Sequence, residues 1–277
     1  IWRWVFLPNV MNGEIRYAHY QKILSILLQL NSQLLEQEGI LFAGGARVPL
    51  EISEFRLSNT LVFWCKNRNA LSAIRDEVDH DGNLGRLGSF SKPLLKNPRF
   101  TLNSIQMYLK AVDMPIKLEF ILMGVESAAI NASLSIPVPH TDRNTCYTNT
   151  LMNLSYYFAD FPYEDFFYLL AMKEAWGNIP YSSLKEVDHQ LCGIQPVIRG
   201  FDSFFEKLKH HPDVYLRAAD ALKIDDQYAS HLLFNVSVQL HLECMAIALA
   251  SKEGKLTEKG IADAAVWVES NKLKALD

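Results

Sequence analysis

Between Tyr17 and Leu35, apolar side chains fall at Tyr20, Ile23, Leu24, Leu27, Leu28, Leu34 and Leu35. Lys22, Ser25, Gln29, Ser32 and Glu36 run along the opposite side. This spacing follows the period of an α-helix and predicts an amphipathic one. Gly44-Gly45 and Pro49 interrupt the pattern, and further helices are expected over Leu50–Lys66 and Ala70–Val78, the latter stopping at Asp81-Gly82. Gly82, Gly85, Gly88, Pro93 and Pro98 mark the next stretch as a long connection. Helical patterns then predict elements at Thr101–Val112, Ile116–Leu134, Asp142–Phe158, Tyr163–Trp176, Tyr181–Ile194 and Val197–His210. Pro212 suits the first turn of a helix over Asp213–Leu222. Asp225 or Asp226 can cap a long helix reaching Ser251, and Thr257 can cap the last. The alternation in Val236-Ser-Val-Gln-Leu-His-Leu lies inside that long helical window. The expected fold class is all-α: two stacked helical bundles of about ten helices. The expected modules are 1–98 and 99–277, unless the chain is one continuous all-α domain.

Composition narrows the class further. The chain has 277 residues, 49% of them hydrophobic, too apolar a mixture for disorder. Its 27 Lys and Arg against 31 Asp and Glu leave no basic excess that would call for nucleic acid or an anionic membrane. No uninterrupted apolar run is long enough to span a bilayer; Gln239, His241 and Glu243 break the longest, Val236 to Ala250. Cys65, Cys146, Cys192 and Cys244 are far apart and read as free thiols in a reducing compartment. A cytoplasmic location is expected, with the periplasmic part of a membrane receptor as the alternative. Trp2, Trp4, Val5 and Phe6 read as the tail of an element lost before Ile1. Of the three glycosylation triplets, at Asn131, Asn153 and Asn235, the last two fall inside apolar helical patterns and read as chance.

Motifs for chemistry are sparse. Phosphate-loop, dinucleotide-binding, nucleophile-elbow and zinc-protease patterns do not occur, so no cofactor is expected. Glu77-Val-Asp-His80 and Glu186-Val-Asp-His189 form a faint internal echo, and paired E-x-x-H motifs hold two metals in some four-helix bundles. Such a site also needs a carboxylate level with each motif on the partner helix. The first hairpin places Asn59 there instead, which argues against a metal-dependent oxidase. His231, Asn235, Gln239 and Glu243 recur every fourth residue and trace one stripe of a helix, either a solvent edge or the wall of a polar pocket. The aromatic stretch from Tyr156 to Tyr168 lacks interleaved Arg, so it reads as core or as an interface with a partner or a second copy.

Four segments, in order, resemble the nitrate- and nitrite-sensing (NIT) domain of bacterial receptors. Leu30-Asn-Ser-Gln-Leu-Leu-Glu-Gln-Glu-Gly39 with Phe42-Ala-Gly-Gly is similar to the family's "LQ-x-ERG" helix. Phe55-Arg56-Leu-Ser-Asn-Thr60 lies where the family carries an Arg and Thr-Asp. Cys146-Tyr147-Thr148-Asn-Thr-Leu-Met resembles "Y-T-x-L-I", and Tyr168-Leu-Leu-Ala-Met-Lys173-Glu174-Ala-Trp-Gly177 resembles "LL-x-x-KE-x-x-G". Trp267 has a rough counterpart in the closing helix.

The resemblance implies a non-enzymatic sensory or regulatory domain of signal-transduction type that binds a small polar ligand between helices. Arg56, Tyr147, Lys173 and Trp176 are the ligand-binding residues it points to. Glu38 and the Ile179-Pro180 region stand where the family has arginines, so nitrate itself is expected to bind weakly or not at all. A helical interaction module without a small ligand is the alternative.

Overall fold

The computed structural model describes residues 18–53, 55–78, 83–90, 94–109, 115–123, 136–156 and 163–274. Trp2, Trp4, His80, Asn131, Tyr157, Phe158 and Phe161 lie outside the described residues. The chain divides into two compact units, Ile1–Asp142 and Arg143–Asp277. The boundary expected at 98 falls instead one residue before a strand of the first unit's sheet.

The first unit holds α1 (Ala18–Gln29), α2 (Ser32–Glu38), β1 (Ile40–Ala43), α3 (Arg47–Glu51), β2 (Thr60–Cys65), α4 (Arg68–Glu77), β3 (Arg99–Phe100), β4 (Ser104–Leu109) and β5 (Ile116–Leu122). Its strands form one sheet in the order β1-β2-β5-β4-β3, with β2 and β5 parallel and the other pairs antiparallel. The all-α expectation is therefore corrected. Leu50–Lys66, Thr101–Val112 and Ile116–Leu134 were expected to be helices, and each contains a strand. The cause is local. Ile116-Lys-Leu-Glu-Phe-Ile-Leu and Ser104-Ile-Gln-Met-Tyr-Leu alternate apolar and polar residues, the two-residue period of a sheet with one face in a core.

Leu61, Phe63, Ile105, Met107, Leu118 and Phe120 all point to that face. They share a core with Tyr20, Ile23 and Leu27 of α1, Leu34 and Leu35 of α2, and Leu71 and Ile74 of α4. Phe63 and Phe120 stack with ring centroids 4.9 Å apart.

The second unit is helical: α5 (Arg143–Tyr156), α6 (Tyr163–Trp176), α7 (Tyr181–Gln190), α8 (Gln195–His210), α9 (Pro212–Ala221), α10 (Asp226–His231), α11 (Ser237–Lys252) and α12 (Glu258–Lys274). A π-helical turn, Leu232–Val236, joins α10 to α11. Every residue of α6 from Phe166 to Lys173 is buried. A helix apolar on all sides has no solvent face and becomes the axis around which others pack. Gly200 lets α8 lie against α5, because a Cβ there would sit 2.8 Å from the Leu154 carbonyl oxygen.

One stretch, Asp226–Lys252, has the length and apolarity to cross a membrane. It carries Leu232, Leu233, Val236, Leu240, Cys244 and Ile247 as buried residues, so there is no clear membrane span among the described residues.

Candidate functional site

The sheet of the first unit has a second face, opposite the helices, and its composition differs. The strand registers place Val62 of β2, Glu119 of β5 and Gln106 of β4 in one transverse row. Thr60, Lys117 and Tyr108 form the next row. All six are half-buried. An alternating strand buries one set of side chains and leaves the other set free to carry chemistry.

The Glu119 carboxylate is held at both oxygens. The Lys117 ammonium donates to Oε2 at 2.7 Å, and the Gln106 amide donates to Oε1 at 2.7 Å. The Lys96 ammonium lies 3.8 Å from the Tyr108 ring centroid, within cation–π range.

A glycine turn overhangs this face. Gly44 follows β1 in the left-handed conformation, at φ 69°, which is open to glycine at little cost, and leads through a short 3-10 turn into α3. A Cβ on Gly44 would lie 3.0 Å from Cβ of Val62, so the backbone runs directly over the residue beside Glu119. Left-handed followed by right-handed residues point successive N–H groups into a small concavity suited to an anion.

Beneath the turn the chain is pinned by buried polar groups. Arg47 Nε donates to the Thr141 carbonyl at 2.9 Å, and its guanidinium lies 2.6 Å from Glu51 Oε2. His140 is fully buried with Nδ1 2.9 Å from the Val138 carbonyl, and burial holds its pKa below the usual imidazole value.

The sequence-derived candidates fall elsewhere. Tyr147, Lys173 and Trp176 come together in the second unit, while Arg56 belongs to the first. Arg56 is buried, and its carbonyl accepts from the Tyr20 hydroxyl at 2.8 Å. The Tyr147 ring meets Trp176 edge-on at 6.0 Å, and its hydroxyl donates to the Gly177 carbonyl. Arg143 covers the indole at 5.1 Å. Lys173 donates to Glu243 Oε2 at 2.6 Å and to the Asn178 amide oxygen, and the Ile179 N–H donates to Glu243 Oε1 at 2.7 Å. Burial raises the Glu243 pKa, against the lowering effect of Lys173. This network ties the end of α6 to α11, and its charges are matched within it.

The stripe on the long helix also divides. His231 meets Glu174 at 2.7 Å and Glu243 meets Lys173, while Asn235 and Gln239 are exposed. The π-turn between them breaks the fourfold spacing. Glu186 of the second E-x-x-H is exposed and accepts from Gln190. Glu77 of the first accepts from the Arg86 backbone N–H and guanidinium. Among the described residues, no three His, Cys, Asp or Glu side chains gather as a metal site.

The sequence reading missed Lys117, Glu119, Gln106, Thr60 and Tyr108. The signal available was the two-residue alternation of Ser104–Leu109 and Ile116–Leu122, which was absorbed into longer helical windows.

No family model matches the chain, and no curated protein matches it significantly. Two solved structures are similar to it. One, from H. pylori, is described as a "putative nucleotidyltransferase": TM-score 0.49, 13% identity, 81% of this chain and 95% of that chain covered. The other is JHP933 from Helicobacter pylori, with TM-score 0.47 and 12% identity over 84% of this chain and 96% of that one. The resemblance to the nitrate- and nitrite-sensing domain is corrected. No family model supports it, and the segment Phe42–Thr60 on which it partly rests runs through β1, α3 and the start of β2. The expectation of a non-enzymatic sensory domain rested on that resemblance and is corrected with it.

Proposed function

We propose that the first unit binds a nucleoside phosphate across the sheet face that carries Lys117, Glu119 and Gln106. The observation that carries this reading is that charged and amide side chains from adjacent strands converge beside a glycine turn. A small-molecule site needs few polar groups, provided they are held in place, and here two adjacent strands hold them. Lys117 gives one of its three donors to Glu119 and has two left for phosphate oxygens. The turn at Gly44 brings backbone close to this face without a side chain in the way. Gln106 keeps its amide oxygen as an acceptor for a sugar hydroxyl or an exocyclic amine, and the Tyr108 ring is a flat partner for a base.

Calorimetric titration of the full chain with ATP, CTP, GTP and UTP tests the reading. Binding of at least one, weakened by Gln106→Leu or Lys117→Met, is the expected result. Absence of heat with all four overturns it. A parallel incubation with α-labelled nucleotides and gel analysis reads out transfer to the protein or to added nucleic acid.

The free cysteines support a reducing compartment and hence the cytoplasm: Cys65, Cys146 and Cys244 are buried thiols, and Cys192 is exposed and unpaired.

A further inference from the structure

Protein sites that transfer nucleotidyl or phosphoryl groups commonly collect one or two divalent cations, held by carboxylates and shared with the substrate phosphates. The residues of this sheet face do not fit such a cation. Across β2, β5 and β4 the face carries Thr60, Val62, Trp64, Lys117, Glu119, Ile121, Ser104, Gln106 and Tyr108, as the register dictates. Glu119 is the single carboxylate among them. The position beside it on β2, where a second carboxylate would complete a pair, is Val62. Both oxygens of Glu119 are already engaged, one by an ammonium and the other by an amide donor. Magnesium demands near-octahedral oxygen ligation, and an ammonium 2.7 Å from the carboxylate both occupies that ligand and repels the ion.

We infer that the site takes the phosphates on the Lys117 ammonium beside the Gly44 turn, with no bridging divalent cation. The inference rests on the reading of this face as a nucleoside-phosphate site. Lys117 supplies a positive charge on this face, and Glu119 fixes the ammonium by a charge-assisted hydrogen bond. Metal-free nucleotide carries more negative charge than its magnesium complex, so it is the better partner for a fixed cation.

The test is titration of the full chain with ATP in excess magnesium and again in EDTA. The expected dissociation constant in EDTA equals or is tighter than that in magnesium. A loss of affinity of about tenfold or more on chelation overturns the inference while leaving the nucleotide reading intact. No binding in either buffer overturns both. Lys117→Met supplies the second measurement, with folding checked by circular dichroism. It should weaken ATP about tenfold or more in EDTA. Magnesium should restore part of that loss, because Glu119 Oε2 is then free to ligate. Unchanged ATP affinity in Lys117→Met would also overturn the inference, and the wild-type comparison stands if the variant does not fold.

Discussion

The two units each contain a Lys–Glu pair at nearly the same distance, and the pairs have different surroundings. Lys173–Glu243 in the second unit is 2.6 Å long, with side chains 8% and 10% exposed. Lys117–Glu119 in the first is 2.7 Å long, with 24% and 15% exposed. Around the first-named pair both Glu243 oxygens and two of the three Lys173 donors are engaged, with Asn178 and the Ile179 N–H joining the network at a helix end. Around the second, the ammonium keeps free donors on a half-buried sheet face. A short ion pair is thus no guide to function by itself. What distinguishes a structural pair from a binding one is whether its unused donors and acceptors have somewhere to go.

That difference can be broken first by charge deletion. Lys173→Met strands the buried Glu243 carboxylate and should cost about 3–5 kcal/mol of stability in chemical denaturation. The double change Lys173→Met/Glu243→Leu should recover most of the loss, since an apolar replacement of a buried pair is often neutral. Lys117→Met should cost roughly 1 kcal/mol or less, because its partner stays partly solvated and keeps Gln106 as a donor. Equal losses at the two sites would mean that the sheet face is as closed as the helix junction.

Next in size is the turn. Gly44→Ala places a side chain in the left-handed region, about 1–2 kcal/mol, and against Val62 at 3.0 Å. The same substitution should weaken nucleotide binding. Gly254→Ala makes the useful contrast: φ is 67° there too, but a Cβ meets nothing within 4 Å, so it should cost the conformational part alone.

The pH dependence of the two units should carry opposite signs. In the first, burial keeps the folded-state pKa of His140 below the ordinary imidazole value of 6.5. The unfolded chain therefore takes up the proton first as pH falls. The stability associated with a neutral His140 is present above pH 6.5 and is lost as pH drops through the depressed folded value. In the second, burial lifts Glu243 above the ordinary carboxyl value of 4.5. Its contribution is greatest below pH 4.5 and falls away as pH rises through the raised value. Residue-resolved hydrogen exchange separates them, with the Phe63 and Leu118 amides reporting the first unit and Leu170 and Ile247 the second. His140→Asn should flatten the acid slope of the first unit only.

How much of this was legible in the sequence follows the same divide. Tyr163–Trp176 was readable as a helix because fourteen residues without Gly or Pro carry apolar groups on every side. Pro212 and Asp225 marked their helix starts by ordinary capping chemistry; Asp225 accepts from the Gln227 and Tyr228 N–H groups. The strands were misread because Ile116–Leu122 is followed by more apolar residues, and a window long enough for a helix hides a two-residue period. With the strands lost, nothing singled out Lys117 and Glu119. Their meeting with Gln106 depends on a register between strands that no local pattern encodes. Lys173 was singled out as a ligand-binding residue; its ammonium donates to Glu243, seventy residues on, a partner that no local pattern announces.

The smallest expected effect lies on the surface of the second unit. Asp213 and Arg217 form an ion pair on α9 at 2.9 Å, one turn apart, with side chains 61% and 73% exposed. Water screens the attraction, and ordering two long side chains offsets what remains. Asp213 also sits in the first turn, where its charge favours the helix dipole whether or not Arg217 is present. Arg217→Ala should therefore shift stability by no more than about 0.5 kcal/mol, and raising the salt should shrink the difference further. Asp213→Ala should cost slightly more than Arg217→Ala, because it removes the dipole interaction as well as the pair. If Arg217→Ala proves the larger, the guanidinium must be packing its stem against a neighbour rather than holding a charge, and a Leu at 217 would restore what Ala loses.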